Sequence, residues 1–171
     1  MTFAAKLDGF CDRLNRATEF VIALLLCATV LVTLLQVTFR YGLDSSLSWS
    51  EELARYLFIW VIFLGVASAA RRGEHMAVTA LSTILPNGLL RPLAAFVILA
   101  SLVFFAVVLY TTVLLTENAI PQLSSALEIS VAFVYVAAPI GSVLTILHLI
   151  NGLVRLASGE KPFIETATDI S

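Results

Sequence analysis

The sequence predicts an all-α integral membrane protein with four transmembrane helices, short interfacial amphipathic helices and both termini on the cytoplasmic side. Three observations carry this expectation. The 171 residues are 60% hydrophobic and only 13% charged, with a mean hydropathy of +0.98, whereas a soluble globular domain holds about 25% charged residues. Uncharged runs recur four times, divided by short polar stretches. The basic residues divide unevenly between alternate connections, as they do in multi-pass proteins. A formal net charge of −2 without a long basic run excludes a nucleic-acid-binding surface. Cys11 and Cys27 form no C-x-x-C pair or zinc-type spacing.

The chain reads as one membrane domain over residues 1–171, with spans near 20–39, 53–70, 92–116 and 129–154 and interfacial segments at 3–16 and 76–85. In the first segment Phe3, Leu7, Phe10, Cys11 and Leu14 recur at near-helical spacing, with Lys6, Asp8, Asp12, Arg13 and Arg16 on other faces. That pattern suits a helix lying on the membrane surface. The run 20–39 holds 20 uncharged residues between Glu19 and Arg40, enough for one crossing and too long for the apolar core of a cleavable signal. Gly42, Asp44 and Ser45 then make a turn, with Tyr41 and Trp49 suited to an aromatic belt.

The second span poses a problem of length. Only 15 uncharged residues separate Arg55 from Arg71, about 22 Å of helix against a hydrocarbon core of roughly 30 Å. The helix must begin earlier, and Ser48-x-x-Glu51, with the spacing of a capping box, marks the start. Arg55 then lies inside the apolar boundary with Glu51 and Glu52 one turn back. Glu51, Arg55, Phe58, Ile62, Gly65 and Ala69 form one stripe, ending in a small-xxx-small pair of the kind that lets another backbone approach. This stripe, with Trp49 and Glu52, is the candidate subunit interface.

Arg71, Arg72 and His75 mark the cytoplasmic edge, with His75 read as a polar residue at headgroup level. Val78, Leu81 and Leu85 give the following segment one apolar side before the Pro86-Asn87-Gly88 turn. The third run holds 25 uncharged residues and is expected to tilt. A loop over 117–128 lacks Lys and Arg, and Ser125-x-x-Glu128 repeats the capping spacing at the expected start of the fourth span. Within that span Pro139 and Gly141 are expected to kink the helix. His148 is read as an interfacial group near Arg155. Lys6, Arg13, Arg16, Arg71, Arg72, Arg91, Arg155 and Lys161 fall on one side and Arg40 and Arg55 on the other, which places both termini inside.

The chemistry available in the membrane is sparse. No predicted span has an acid in its middle, and neither G-x-x-x-x-G-K-[ST] nor H-E-x-x-H occurs. No catalytic residue, cofactor or metal site is expected, and an enzyme is not. Two classes remain: a subunit that packs against something else, or a self-contained homo-oligomeric four-span channel or exporter.

Trp49-Ser50-Glu51-Glu52 followed by Arg55, then Trp60, Gly65, Arg71 and His75, and Pro139-Ile140-Gly141 on the last span, give the chain a resemblance over nearly its whole length. It resembles the small membrane subunit of tripartite ATP-independent periplasmic (TRAP) transporters, the DctQ-like proteins. It departs from them at Thr79, where relatives often carry an acid. The resemblance implies a non-catalytic scaffold in the bacterial inner membrane, held in a heterodimer with a large permease subunit and surrounded by membrane lipids. The large subunit would carry the substrate and sodium sites and move in an elevator manner. A periplasmic substrate-binding protein would deliver an organic anion, with sialic acid and dicarboxylates among the candidates.

Overall fold

The computed structural model describes residues 3–45, 47–72 and 87–158. His75, the interfacial segment expected at 76–85 and the tail beyond Ser158 lie outside the described residues. The elements are α1 (Phe3–Gly42), α2 (Ser48–Arg72), α3 (Asn87–Ala119), α4 (Ala132–Tyr135) and α5 (Ala137–Ala157). Four stretches are long and apolar enough to cross a membrane: Ala5–Gly42, Ser48–Arg72, Leu89–Ala119 and Ala132–Ala157.

Helix α1 differs from its expectation. The segment 3–16 is not a separate surface helix but the first part of one 40-residue helix, roughly 60 Å long at ~1.5 Å per residue. Nothing in the sequence breaks the helix before the uncharged run begins. Cys11, Asn15 and Thr18, at i, i+4 and i+7, are buried against the neighbouring helices. The segment's apolar residues are therefore divided, with Phe10 exposed and Cys11 wholly inside.

Helix α5 is the hub, touching α1, α2 and α3. Half of its most apolar stretch is buried, against none of that in α1. Apart from Leu149, its inward residues are small or polar, including Ala137, Ala138, Gly141, Ser142, Thr145 and Asn151, while Ile140, Val143 and Ile150 point outward. This inversion follows from the solvent. Large aliphatic side chains gain nothing by leaving lipid, so small residues that allow close backbone contact occupy the interfaces. Gly141 shows the constraint directly, because a Cβ there would lie 2.7 Å from the Phe63 carbonyl oxygen of α2 and 2.8 Å from the Phe63 Cβ.

The expected kink is a break three residues earlier, at Val136, between α4 and α5. Pro139 has no amide to give the Tyr135 carbonyl and its ring crowds that oxygen, so the disturbance falls one turn before the proline. Gly141 is a packing position rather than part of a bend.

The two capping expectations also changed. Helix α2 does begin at Ser48, but as its first residue rather than its cap, and Ser50 Oγ donates back to the Leu47 carbonyl at 2.7 Å. The last span begins at Ala132, whose amide donates to Ser130 Oγ at 3.3 Å. Ser125 and Glu128 belong instead to a folded loop closed by the Leu123–Ser130 bridge, with Glu128 in the left-handed region at φ 54°.

Candidate functional site

The ends of membrane helices are where charged side chains can be held without burying them in hydrocarbon, and both ends of this bundle are tied by such groups. At one end Arg71, only 8% exposed, closes α2 onto α1. Its Nη2 donates to Asp8 Oδ1 at 2.7 Å and to Asp12 Oδ1 at 2.6 Å, and its Nε to Asp12 Oδ1 at 3.2 Å. Asp8 and Asp12 stand one helical turn apart, so one guanidinium fork reaches both. Asp8 also accepts from Asn151 Nδ2 at 2.9 Å and lies 3.5 Å from Arg155 Nη1, which brings α5 into the same network.

Asp8 sits about 18 Å of helix before the uncharged run that begins at Phe20. Burial disfavours its charge, but hydrogen bonds from Asn151 and Arg71 and the charges of Arg71 and Arg155 outweigh this. Together they hold its carboxyl below the usual carboxylate range. Further along α1, Glu19 Oε1 accepts from Asn15 Nδ2 at 2.8 Å, Ser68 Oγ at 3.1 Å and Arg72 Nη2 at 2.7 Å. The two adjacent arginines thus serve separate acids.

At the other end Glu52 organises the loop between α3 and α4. Its Oε2 accepts from the amides of Ala126 at 2.8 Å and Leu127 at 3.1 Å, and its Oε1 from the Tyr56 hydroxyl at 2.5 Å. Trp60 Nε1 donates to the Phe133 carbonyl at 3.3 Å, with the two rings 6.4 Å apart. Glu52 therefore faces its own chain, although the sequence placed it with the interface stripe.

The rest of the stripe lies on the surface. Arg55 Nη2 donates to Glu51 Oε1 at 3.1 Å with both side chains exposed. Trp49, Phe58 and Ile62 are exposed. Gly65 and Ala69 line a groove of 330 Å³ between α1 and α2 with Ile22, Ala23 and Leu26 along its apolar side. A Cβ at Gly65 would meet nothing within 4 Å, so this glycine is not used to pack the subunit itself. A second groove of 470 Å³, almost wholly apolar, lies between α3 and α5 near the helix break, beside Leu109, Val113, Pro139 and Ile140. Among the described residues no cluster of three or more His, Cys, Asp or Glu could hold a metal ion.

An anchored bundle with uncovered apolar flanks has the construction of a membrane subunit, and its sequence has recognisable relatives. Residues 29–159 match the family described as tripartite ATP-independent periplasmic transporters, DctQ component. The chain belongs to the DctQ family. It is a transporter component and not an enzyme. A Haemophilus influenzae protein named as a TRAP transporter small permease is 40% identical over 73 residues, 43% of this chain and 45% of that protein. The sialic acid TRAP transporter small permease protein SiaQ of Vibrio cholerae is 35% identical over 74 residues, 43% of each chain. The ectoine TRAP transporter small permease protein TeaB of Halomonas elongata is 29% identical over 163 residues, 91% of this chain and 84% of TeaB. The chain thus covers less than half the length of the first two and most of the third.

In this DctQ chain the residues that tie the bundle were only partly visible from sequence. Arg71 was singled out as an edge residue, but Asp8 and Asp12 were assigned to the polar face of a surface helix. Asn151 carried no marker in the sequence beyond being a polar residue three positions after His148. The available signal was that two acids one turn apart stand before the first span while Arg71 and Arg155 close two others, so all four groups fall on the same side of the membrane. His148, read as interfacial, is instead 2% exposed and inside the bundle.

Proposed function

We propose that this chain is the fixed, non-catalytic small subunit of a TRAP transporter in the bacterial inner membrane, partnered with a large permease subunit. Together they take up, driven by sodium, a carboxylate-bearing solute delivered by a periplasmic binding protein. The observation that carries this reading is the distribution of carboxylates. The apolar runs 20–39, 53–70, 92–116 and 129–154 contain no Asp or Glu, and the acids in the helix-end networks already hold basic groups or backbone amides. A self-contained coupled carrier needs an intramembrane acid or opened backbone to take its ion. The exposed stripe Trp49, Glu51, Arg55, Phe58 and Ile62, with the small groove at Gly65 and Ala69, is the proposed contact with the large subunit.

The named relatives serve sialic acid and ectoine systems, and one from Vibrio cholerae a C4-dicarboxylate system. Similarity spread across three substrates supports a role that does not select the solute. Co-purification from the native membrane followed by reconstitution tests the proposal. The expected result is recovery of a large membrane protein with the tagged chain, and sodium-dependent uptake only when both are present with the binding protein. Ion or solute flux through the purified chain alone would overturn it and favour the homo-oligomeric channel.

A further inference from the structure

Where α1, α2 and α5 converge beside Arg71, a set of polar atoms is buried without partners. Both ring nitrogens of His148, the Asn151 Oδ1 and the Asn15 Oδ1 have no hydrogen-bond partner among the described residues. Their side chains are 2%, 0% and 9% exposed. His148 and Asn151 are three residues apart on α5, which makes them neighbours on its surface. Asn151 reaches α1 through Asp8, and Asn15 lies on the buried face of α1 with Cys11.

The supply of donors decides what this junction needs. A neutral imidazole has one donor and one acceptor, and each Asn oxygen is an acceptor. Asn151 and Asn15 each give one amide N–H to a carboxylate, Asp8 and Glu19, and neither their second N–H nor the ring N–H meets any of these three acceptors among the described residues. An imidazolium would add a donor, but the surrounding charges do not call for one. Asp8 and Asp12 on α1 are matched by Arg71 on α2 and Arg155 on α5. Buried polar atoms left unpaired are strongly unfavourable, and a buried water making about three hydrogen bonds is the usual solution.

We propose that the junction of α1, α2 and α5 is a binding site for ordered water, one or two molecules bridging a neutral His148 imidazole to the side-chain oxygens of Asn151 and Asn15. Water donates to the oxygens and to the bare ring nitrogen and accepts from the ring N–H. The three helices are then joined at two levels, directly through Arg71 and one turn deeper through water.

The test uses the full chain, labelled with ¹⁵N-histidine and combined in lipid bilayers with its co-purifying partner left unlabelled. His75→Gln leaves His148 as the sole imidazole. Solid-state NMR at neutral pH is expected to show one protonated and one bare ring nitrogen, with magnetisation passing from water to the ring. Two protonated nitrogens, or no transfer from water, would overturn the site. A second arm compares His148→Gln, which keeps a donor and an acceptor, with His148→Leu, which strands both Asn oxygens. The expected midpoint of thermal unfolding is near the parent value for Gln and about 5 °C lower for Leu. An equal or higher midpoint for Leu would mean that the junction is dry.

Discussion

Arg55 and Arg71 both stand near an end of α2 with two acids within reach, and burial separates their roles. The Arg55–Glu51 pair is exposed on both sides, and such pairs contribute about 0–1 kcal/mol. Arg71 is 8% exposed and joins α1 to α2. Its acid partners are more open, Asp8 32% and Asp12 52% exposed, so the charges stranded by its removal are partly hydrated and the loss falls between that of an exposed pair and the about 3–5 kcal/mol of a fully buried one. Arg71→Ala should therefore lower the unfolding midpoint in detergent, with Arg71→Lys intermediate because it loses the fork, while Arg55→Ala alters it little. If Arg55 meets the large subunit, Ala should reduce co-purification and uptake more than Lys does; wild-type behaviour of both would show that it only snorkels. Asp8 adds a pH expectation. Its carboxyl is held below the ordinary value of 3.8, so its stabilising contribution is complete above that value and is lost as the pH falls through the lowered one. Asp8 should contribute no pH dependence to the unfolding midpoint between about pH 5 and 8, and Asp8→Asn should lower the midpoint by the same amount across that range.

At the scale of elements, two glycines of similar appearance in the sequence have opposite surroundings. A side chain at Gly141 would collide with Phe63 of α2, whereas one at Gly65 would project into open space. Gly141→Leu should separate α5 from α2 and reduce the level of the chain in the membrane. Gly65→Leu should leave that level unchanged and reduce co-purification of the large subunit, since close backbone approach is lost. Normal co-purification and transport by Gly65→Leu would assign that groove to lipid. The loop between α3 and α4 offers a third comparison. Glu52→Ala frees the amides of Ala126 and Leu127, and their hydrogen exchange should quicken by about tenfold for each 1.4 kcal/mol lost. Unchanged exchange would mean that the Leu123–Ser130 bridge holds the loop without Glu52.

For the whole molecule, the lengths of the helices and the small share of them buried are the informative facts. The most apolar stretches of α1 and α3 are almost entirely uncovered by the chain itself, so in a membrane most of their surroundings come from outside it. Orientation rests on the eight-to-two division of basic residues. Fusions of a periplasm-active reporter should be silent after Ser171 and active in the 117–128 loop. The reverse pattern would invert the topology, and with it the assignment of the Arg71 network to the cytoplasmic side.

By itself the sequence determined the class of solvent, the number of long apolar helices and the family resemblance that the comparisons bear out. These depend on composition and on the spacing of residues within one element, which a linear reading measures directly. The exposed stripe from Glu51 to Ile62 was legible for the same reason. What only the tertiary structure decided is which residues of different helices meet. Asp8 and Arg71 are 63 positions apart, as remote in sequence as groups without any connection. The small residues of α5, the capture of the loop by Glu52 and the burial of His148 could not be read from periodicity either. In lipid the buried face of a helix is not its most hydrophobic face, so the pattern that reveals the core of a soluble protein carries no such information here.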